Sequence, residues 1–146
     1  MNRDWCYKKI GDTSESMYIT HTAQKIKPDG MKKSRYVRPG DFLLSNSMSF
    51  GRPYILKVDG CIHDGWLVLG NVEKTMIPDF LYFILSSDFI YQSFAFAAAG
   101  STVKNLKSET VQATLFPLPP LAEQDRIVAK IEELFSTLDQ MERNLV

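Results

Sequence analysis

The chain has 146 residues, 45% of them hydrophobic and 23% charged, with 17 Lys or Arg balanced by 17 Asp or Glu. That length and apolar content describe one folded domain with an appendage and argue against disorder. The longest apolar runs, such as Phe80 to Leu85, fall far short of the ~20 residues of a membrane-spanning helix, and the opening MNRDWCYKKI lacks the apolar centre of a signal peptide.

Zero net charge conceals a gradient. Residues 1–60 hold eleven Lys or Arg and six Asp or Glu (+5), residues 61–120 three and five (−2), and residues 121–146 three and six (−3). A basic front suits phosphate and equally suits a solvated surface. Cys6 and Cys61 show neither metal spacing nor a disulfide framework, so free thiols in a reducing cytoplasm are expected, without membrane association.

Residues 1–17 are polar and weakly patterned. From Tyr18 onward short β-prone runs alternate with turn signals. Tyr18-Ile19-Thr20 precedes a polar loop ending at Pro28-Asp29-Gly30, and Arg35-Tyr36-Val37 precedes Pro39-Gly40-Asp41, where proline fixes φ for a turn. Asp41–Ser45, Tyr54–Val58 and Trp66–Leu69 read as strands of one small mixed or antiparallel sheet. Beyond Pro78 the pattern becomes helical over Asp79–Leu85 and Phe89–Ala99, with Asp88 as an N-cap and Gly100 as a stop. A loop at 100–105 leads into a short helical or irregular piece ending at Thr114. Leu115 to Pro120 must be extended, because each proline bars its predecessor from the helical region. The fold class expected is α+β: a sheet-based domain over residues 1–118 and a long coiled-coil helix over 119–146.

That helix begins near Leu121. Its apolar positions are Ile127, Ile131, Leu134, Leu138, Met141 and Leu145, spaced 4, 3, 4, 3 and 4 in a 3.5-residue repeat. Val128 and Phe135 widen one flank. Either the helix folds back on its own domain, or its far half projects and pairs with another helix; the strict seam favours projection.

Three segments resemble specificity subunits of Type I restriction–modification systems. They are Val37-Arg38-Pro39-Gly40-Asp41-Phe42-Leu43-Leu44-Ser45 with Gly51, then Gly100-Ser101-Thr102-Val103-Lys104-Asn105, and then Pro117-Leu118-Pro119-Pro120-Leu121-Ala122-Glu123-Gln124 with Arg126-Ile127-Val128. They occur in the family's order and cover about residues 19 to 146. The resemblance implies a target recognition domain that reads one half of a split sequence in double-stranded DNA. It also implies a spacer helix on which methyltransferase (modification) subunits dock, with a restriction subunit joining through the complex. It implies no catalytic residue, metal or cofactor in this chain. One recognition domain with one helix, short at its N-terminal end, is half the family's usual plan. An antiparallel homodimer would restore the whole; the alternative is an assembly module that dimerises without reading DNA.

Within that resemblance, the DNA-contacting candidates fall in three places. Ser45, Ser47, Ser49 and Arg52 lie in a polar connection before the second strand, where hydroxyls meet phosphates or bases and Arg forks onto guanine. Ser101, Lys104 and Asn105 lie in the loop after a helix. Lys32 and Lys33, with Arg35, belong to a basic stretch that includes Lys25 and Lys27 and suits phosphate contacts. His63-Asp64 is not a catalytic pair, since adjacency in sequence supplies neither a nucleophile nor an aligned geometry. His63 reads as a structural loop residue, with contact to DNA as the other reading, and Trp66 as core.

Overall fold

The computed structural model describes residues 7–9, 16–22, 24–47, 49–99 and 105–145. In chain order the elements are β1 (Tyr7–Lys9), β2 (Tyr18–Ile19), β3 (Gln24–Ile26), α1 (Pro28–Met31), β4 (Arg35–Val37), β5 (Phe42–Ser45), β6 (Pro53–Leu56), β7 (Gly60–Ile62) and β8 (Trp66–Leu69). A 3-10 turn (Val72–Lys74) leads to α2 (Pro78–Leu85), α3 (Asp88–Ala98), α4 (Ser108–Ala113) and α5 (Leu121–Asn144).

The strands form two sheets rather than the single one expected. One has the order β3-β1-β7-β4 and the other β2-β6-β5-β8. Each is mixed: β1 runs parallel to β7, and β2 parallel to β6, while the remaining pairs are antiparallel. The segments β1, β3 and β7 carry no alternating pattern over three residues, which is why sequence periodicity passed over them. Pro28-Asp29-Gly30, expected as loop, is the start of a single helical turn with proline at its first position.

The second sheet is the middle layer. Every residue of β5 and β6 is buried. Leu43, Tyr54 and Leu56 face the first sheet and pack with Val37, Ile62 and Trp66. Phe42, Leu44 and Ile55 face the other way, onto Leu81 and Leu85 of α2 and Ile90 and Phe94 of α3. A strand covered on both faces has no polar position to alternate with, so the continuous run Phe42-Leu43-Leu44 follows from its place in the stack. The turn before β5 is the one Pro39 predicts. The Gly40 φ of +93° is one that a side chain would resist, and the Gly40 N–H donates to Leu56 O at 2.8 Å. The cap of α3 is Ser87, not Asp88: Ser87 is extended and its Oγ accepts from the Ile90 N–H, while Asp88 opens the helix itself.

The terminal helix divides. Its first half docks on the domain through Gln124 and Val128, which are buried one step from the sequence-defined seam; farther along, Phe135 stays 53% exposed with its ring 6.2 Å from that of Phe83 between centroids. Its second half does not dock, and Leu134, Leu138, Met141 and Leu145 are 53%, 54%, 57% and 86% exposed. The 24 residues of α5 make a rod of about 36 Å. Val128, taken as a mere widening of the seam, thus belongs to the attachment face, with Ile127 and Ile131 of the seam half-buried beside it.

Gln124 decides where that attachment sits. It is fully buried. Its Oε1 accepts from the Ile77 N–H at 2.8 Å, and its Nε2 donates to Thr75 O at 3.1 Å and Pro119 O at 2.9 Å. Three backbone groups that precede α2 and α5 are satisfied by one side chain, so displacing it strands all three.

Candidate nucleic-acid interface

The connection from β5 to β6 is pulled tight by its own backbone. Ser45 N–H donates to Arg52 O at 2.9 Å, Gly51 N–H to Ser45 O at 2.8 Å, and Arg52 N–H to Ser49 O at 2.9 Å. Gly51, with φ +74°, presses against α3: a Cβ there would lie 3.1 Å from the Phe94 ring. Phe50 meets Tyr91 edge-on at 6.3 Å. The Arg52 guanidinium carbon sits 5.4 Å from the centre of the Tyr54 ring. That contact orients the fork without consuming its donors.

Asn46 ties this loop to two others. Its Nδ2 donates to Asp64 O at 2.6 Å, its N–H to Gly65 O at 3.0 Å, and its carbonyl accepts from the Leu106 N–H at 2.8 Å. Residues 46–52, the β7–β8 turn at 63–65 and the segment at 105–107 therefore meet at one end of the middle sheet, although they are far apart in sequence. Ser47, Ser49 and Arg52 are partly exposed there, and Asn105 is exposed. The surface carries both signs of charge, because Asp64 stands fully exposed beside His63.

The other candidates fare differently. Ser45 is 4% exposed and points into the stack as the last residue of β5, so its hydroxyl is withdrawn from solvent. The Arg35 backbone is in register with Ile62, just before the 63–65 turn. Its side chain, however, lines a separate groove with Val68, Asn71 and Glu73. Lys32 and Lys33 are exposed after α1, Lys32 in a 3.7 Å surface pair with Asp29. Such a pair contributes little and leaves the ammonium available to phosphate. Ser101 and Lys104 lie outside the described residues.

Tyr18 and Cys61, among the described residues, titrate abnormally. Tyr18 is pushed up to about 12 by burial, by its 2.9 Å hydrogen bond to Asp79 and by the charges of Asp79 and Glu132. Burial, and then the charge of Asp59, pushes the Cys61 thiol up, which disfavours the nucleophilic thiolate. His63 is half-exposed and accepts the Gly65 N–H at Nδ1, so that nitrogen is committed to the turn. Among the described residues no three His, Cys, Asp or Glu side chains gather to hold a metal ion, and no single helix is long and apolar enough to cross a membrane.

Asn46 and Gln124 escaped sequence reasoning for one reason: each is a polar residue that acts on backbone groups distant in sequence. For Gln124 a signal exists. It lies four residues before Val128 and eleven before Phe135, a polar member of an otherwise apolar stripe.

Comparison with known proteins places the fold. A family model described as "Type I restriction modification DNA specificity domain" matches residues 2–145. The EcoBI specificity subunit of Escherichia coli is 50% identical over 44 residues, 30% of this chain and 9% of that protein. The EcoAI specificity subunit of the same organism is 34% identical over 71 residues, 49% of this chain and 12% of that protein. The crystal structure of the HsdS subunit from Thermoanaerobacter tengcongensis matches with a TM-score of 0.67 and 28% identity, over 82% of this chain and 33% of that one. A chain from a structural study of assembly and conformational transition in the type I R-M system matches with a TM-score of 0.59 at 24% identity, over 75% of this chain and 26% of that one. The chain thus spans a small part of each of these relatives. The match along nearly all of its own length shows that it belongs to the Type I restriction modification DNA specificity domain family.

Proposed function

We propose that this chain is a DNA-specificity component of a Type I restriction–modification complex, reading one half of a bipartite duplex target and doing no chemistry itself. In this reading residues 1–118 are the recognition domain and residues 119–146 the arm. The observation that carries it is the convergence at Asn46. Loops that hold Ser47, Ser49, Arg52 and Asn105 are locked into one surface, supplying hydroxyls, an amide and a fork suited to base edges and phosphates. Lys32 and Lys33 add phosphate contacts at the periphery, with Arg35, Ser101 and Lys104 as further members to test.

The bare outer half of α5 supports the second element of the proposal. Leu134, Leu138, Met141 and Leu145 pair with another helix, either from a second copy running antiparallel or from the remainder of a longer chain. Methyltransferase subunits dock on the resulting frame and a restriction subunit joins through it. That same stripe favours the rival reading, an assembly module with no DNA affinity of its own. A cut at Pro120 cannot separate the two, because it removes Gln124 from Ile77 and so damages the domain. Substitutions in the full chain are the proper test.

The test is fluorescence anisotropy of the full chain on a pool of duplexes with a randomised core, across a salt series. Reading predicts an enriched sequence in the bound pool, and log Kd that rises with log salt in proportion to the phosphates contacted. Arg52→Ala is expected to weaken the enriched duplex by about 1–3 kcal/mol. A Leu138→Glu, Met141→Glu variant that loses self-association, alongside a chain with no duplex affinity at any salt, would establish the assembly module instead.

A further inference from the structure

We propose that His63 is a further DNA-contacting residue, its ring set by the turn beneath it so that Nε2–H is offered to an acceptor on the duplex; this rests on the DNA reading above. The ring is not a loose surface side chain. Its Nδ1 accepts the Gly65 N–H at 2.8 Å, and the ring lies so closely over Gly65 that a Cβ at residue 65 would overlap His63 Cε1 and stand 2.7 Å from Nδ1. Only glycine leaves room for that pose. With Nδ1 occupied as an acceptor, the neutral ring carries its proton on Nε2.

The turn itself is held in place. Asn46 bonds both Asp64 O and the Gly65 carbonyl, so residues 63–65 move with the loop that carries Ser47, Ser49 and Arg52. Half of the His63 side chain is exposed, and the hydrogen bond its ring makes among the described residues is at Nδ1, not Nε2. A donor fixed in direction on an otherwise assembled surface recognises an acceptor: guanine O6 or N7 in the major groove, or a phosphate oxygen. The exposed Asp64 carboxylate beside it accepts instead of donating, which suits the cytosine amino group and disfavours a phosphate directly opposite it.

Two variants separate contact from turn-holding. In His63→Asn the side-chain oxygen still accepts the Gly65 N–H, but the distal donor is gone. In His63→Gln a distal amide donor remains, but the acceptor at the Nδ1 position is lost. Each is made in the full chain, checked for unchanged thermal unfolding, and measured on the duplex pool with a randomised core. His63→Asn is expected to weaken binding about 3- to 10-fold, the loss of one hydrogen bond, with His63→Gln nearer the parent chain. A loss confined to one base position in the enriched sequence identifies a base edge, and an even loss across sequences identifies a phosphate. His63→Asn with parental affinity and preference would overturn the proposal, as would level losses or His63→Gln being the weaker binder. A parent chain without duplex affinity removes the DNA reading itself, and the role of His63 with it.

Discussion

The two halves of α5 are made of similar residues and have opposite surroundings. In the first, Gln124 and Val128 are buried against the segment leading into α2; in the second, Leu134, Leu138 and Met141 are more than half exposed. A polar side chain is inside beside one valine, and the leucines are outside. The hydrophobic effect is non-directional and supplies affinity without address. The address comes from Gln124, whose three bonds to Ile77, Thr75 and Pro119 can be made in only one register. The leucines are left free to meet a partner.

The largest way to break this contrast is Gln124→Leu. It keeps the volume and strands a backbone donor and two acceptors, and is expected to cost about 3–5 kcal/mol in urea unfolding. A loss under 1 kcal/mol would mean that the first half is held by packing alone.

Next, Val128→Ala is expected to cost about 1–2 kcal/mol, while Leu138→Ala in dilute, monomeric protein stays within about 0.5 kcal/mol. Equal losses would show the outer half to be docked as well.

Third, the Leu138→Glu, Met141→Glu variant should unfold at the parental midpoint when dilute. Its self-association in sedimentation equilibrium should weaken at least about tenfold, about 1.4 kcal/mol. A parent chain that stays monomeric at tens of micromolar would instead assign the seam to a different partner.

The smallest effect is spectroscopic. Because its folded pKa of about 12 lies above the ordinary 10.0, Tyr18 contributes stability that is whole below pH 10 and lost as pH rises through 12. Absorbance titration should show the Tyr18 phenol ionising late, and its signal should vanish from that range in Tyr18→Phe. Glu132→Gln should lower its midpoint, since that α5 carboxylate helps to hold the phenol neutral only while the first half of the helix is docked.

Much of the layout was legible. Phe42-Leu43-Leu44 signals a strand, Pro39-Gly40 a turn, the prolines from 117 to 120 an extended entry, and the seven-residue repeat a helix with a bare edge. What escaped has physical reasons. Strands of three residues, such as β1, β3 and β7, are too short to display a period, and they exist because neighbouring strands pair with them. The N-cap of α3 falls at Ser87 rather than the expected Asp88 because Ser and Asp cap equally well, and only the extended backbone of Ser87 distinguishes them. In the candidate interface, the loop at 46–52 was visible as a polar interruption between apolar strands. Its union with 63–65 and 105–107 was not, because Asn46 makes that union with backbone atoms that have no residue signature. Ser45 is the end of the strand that the sequence predicts, but burial in the stack withdraws the hydroxyl that its type offers to DNA.

The middle sheet, covered on both sides, has a consequence for inheritance. All eight positions in β5 and β6 are buried, so a substitution there disturbs the core before it changes any surface. In the DNA reading proposed above, variation in target preference would be channelled into the connections at one end. Because Asn46 fastens three of them together, a segment exchanged between relatives must fit its neighbours there or be replaced along with them.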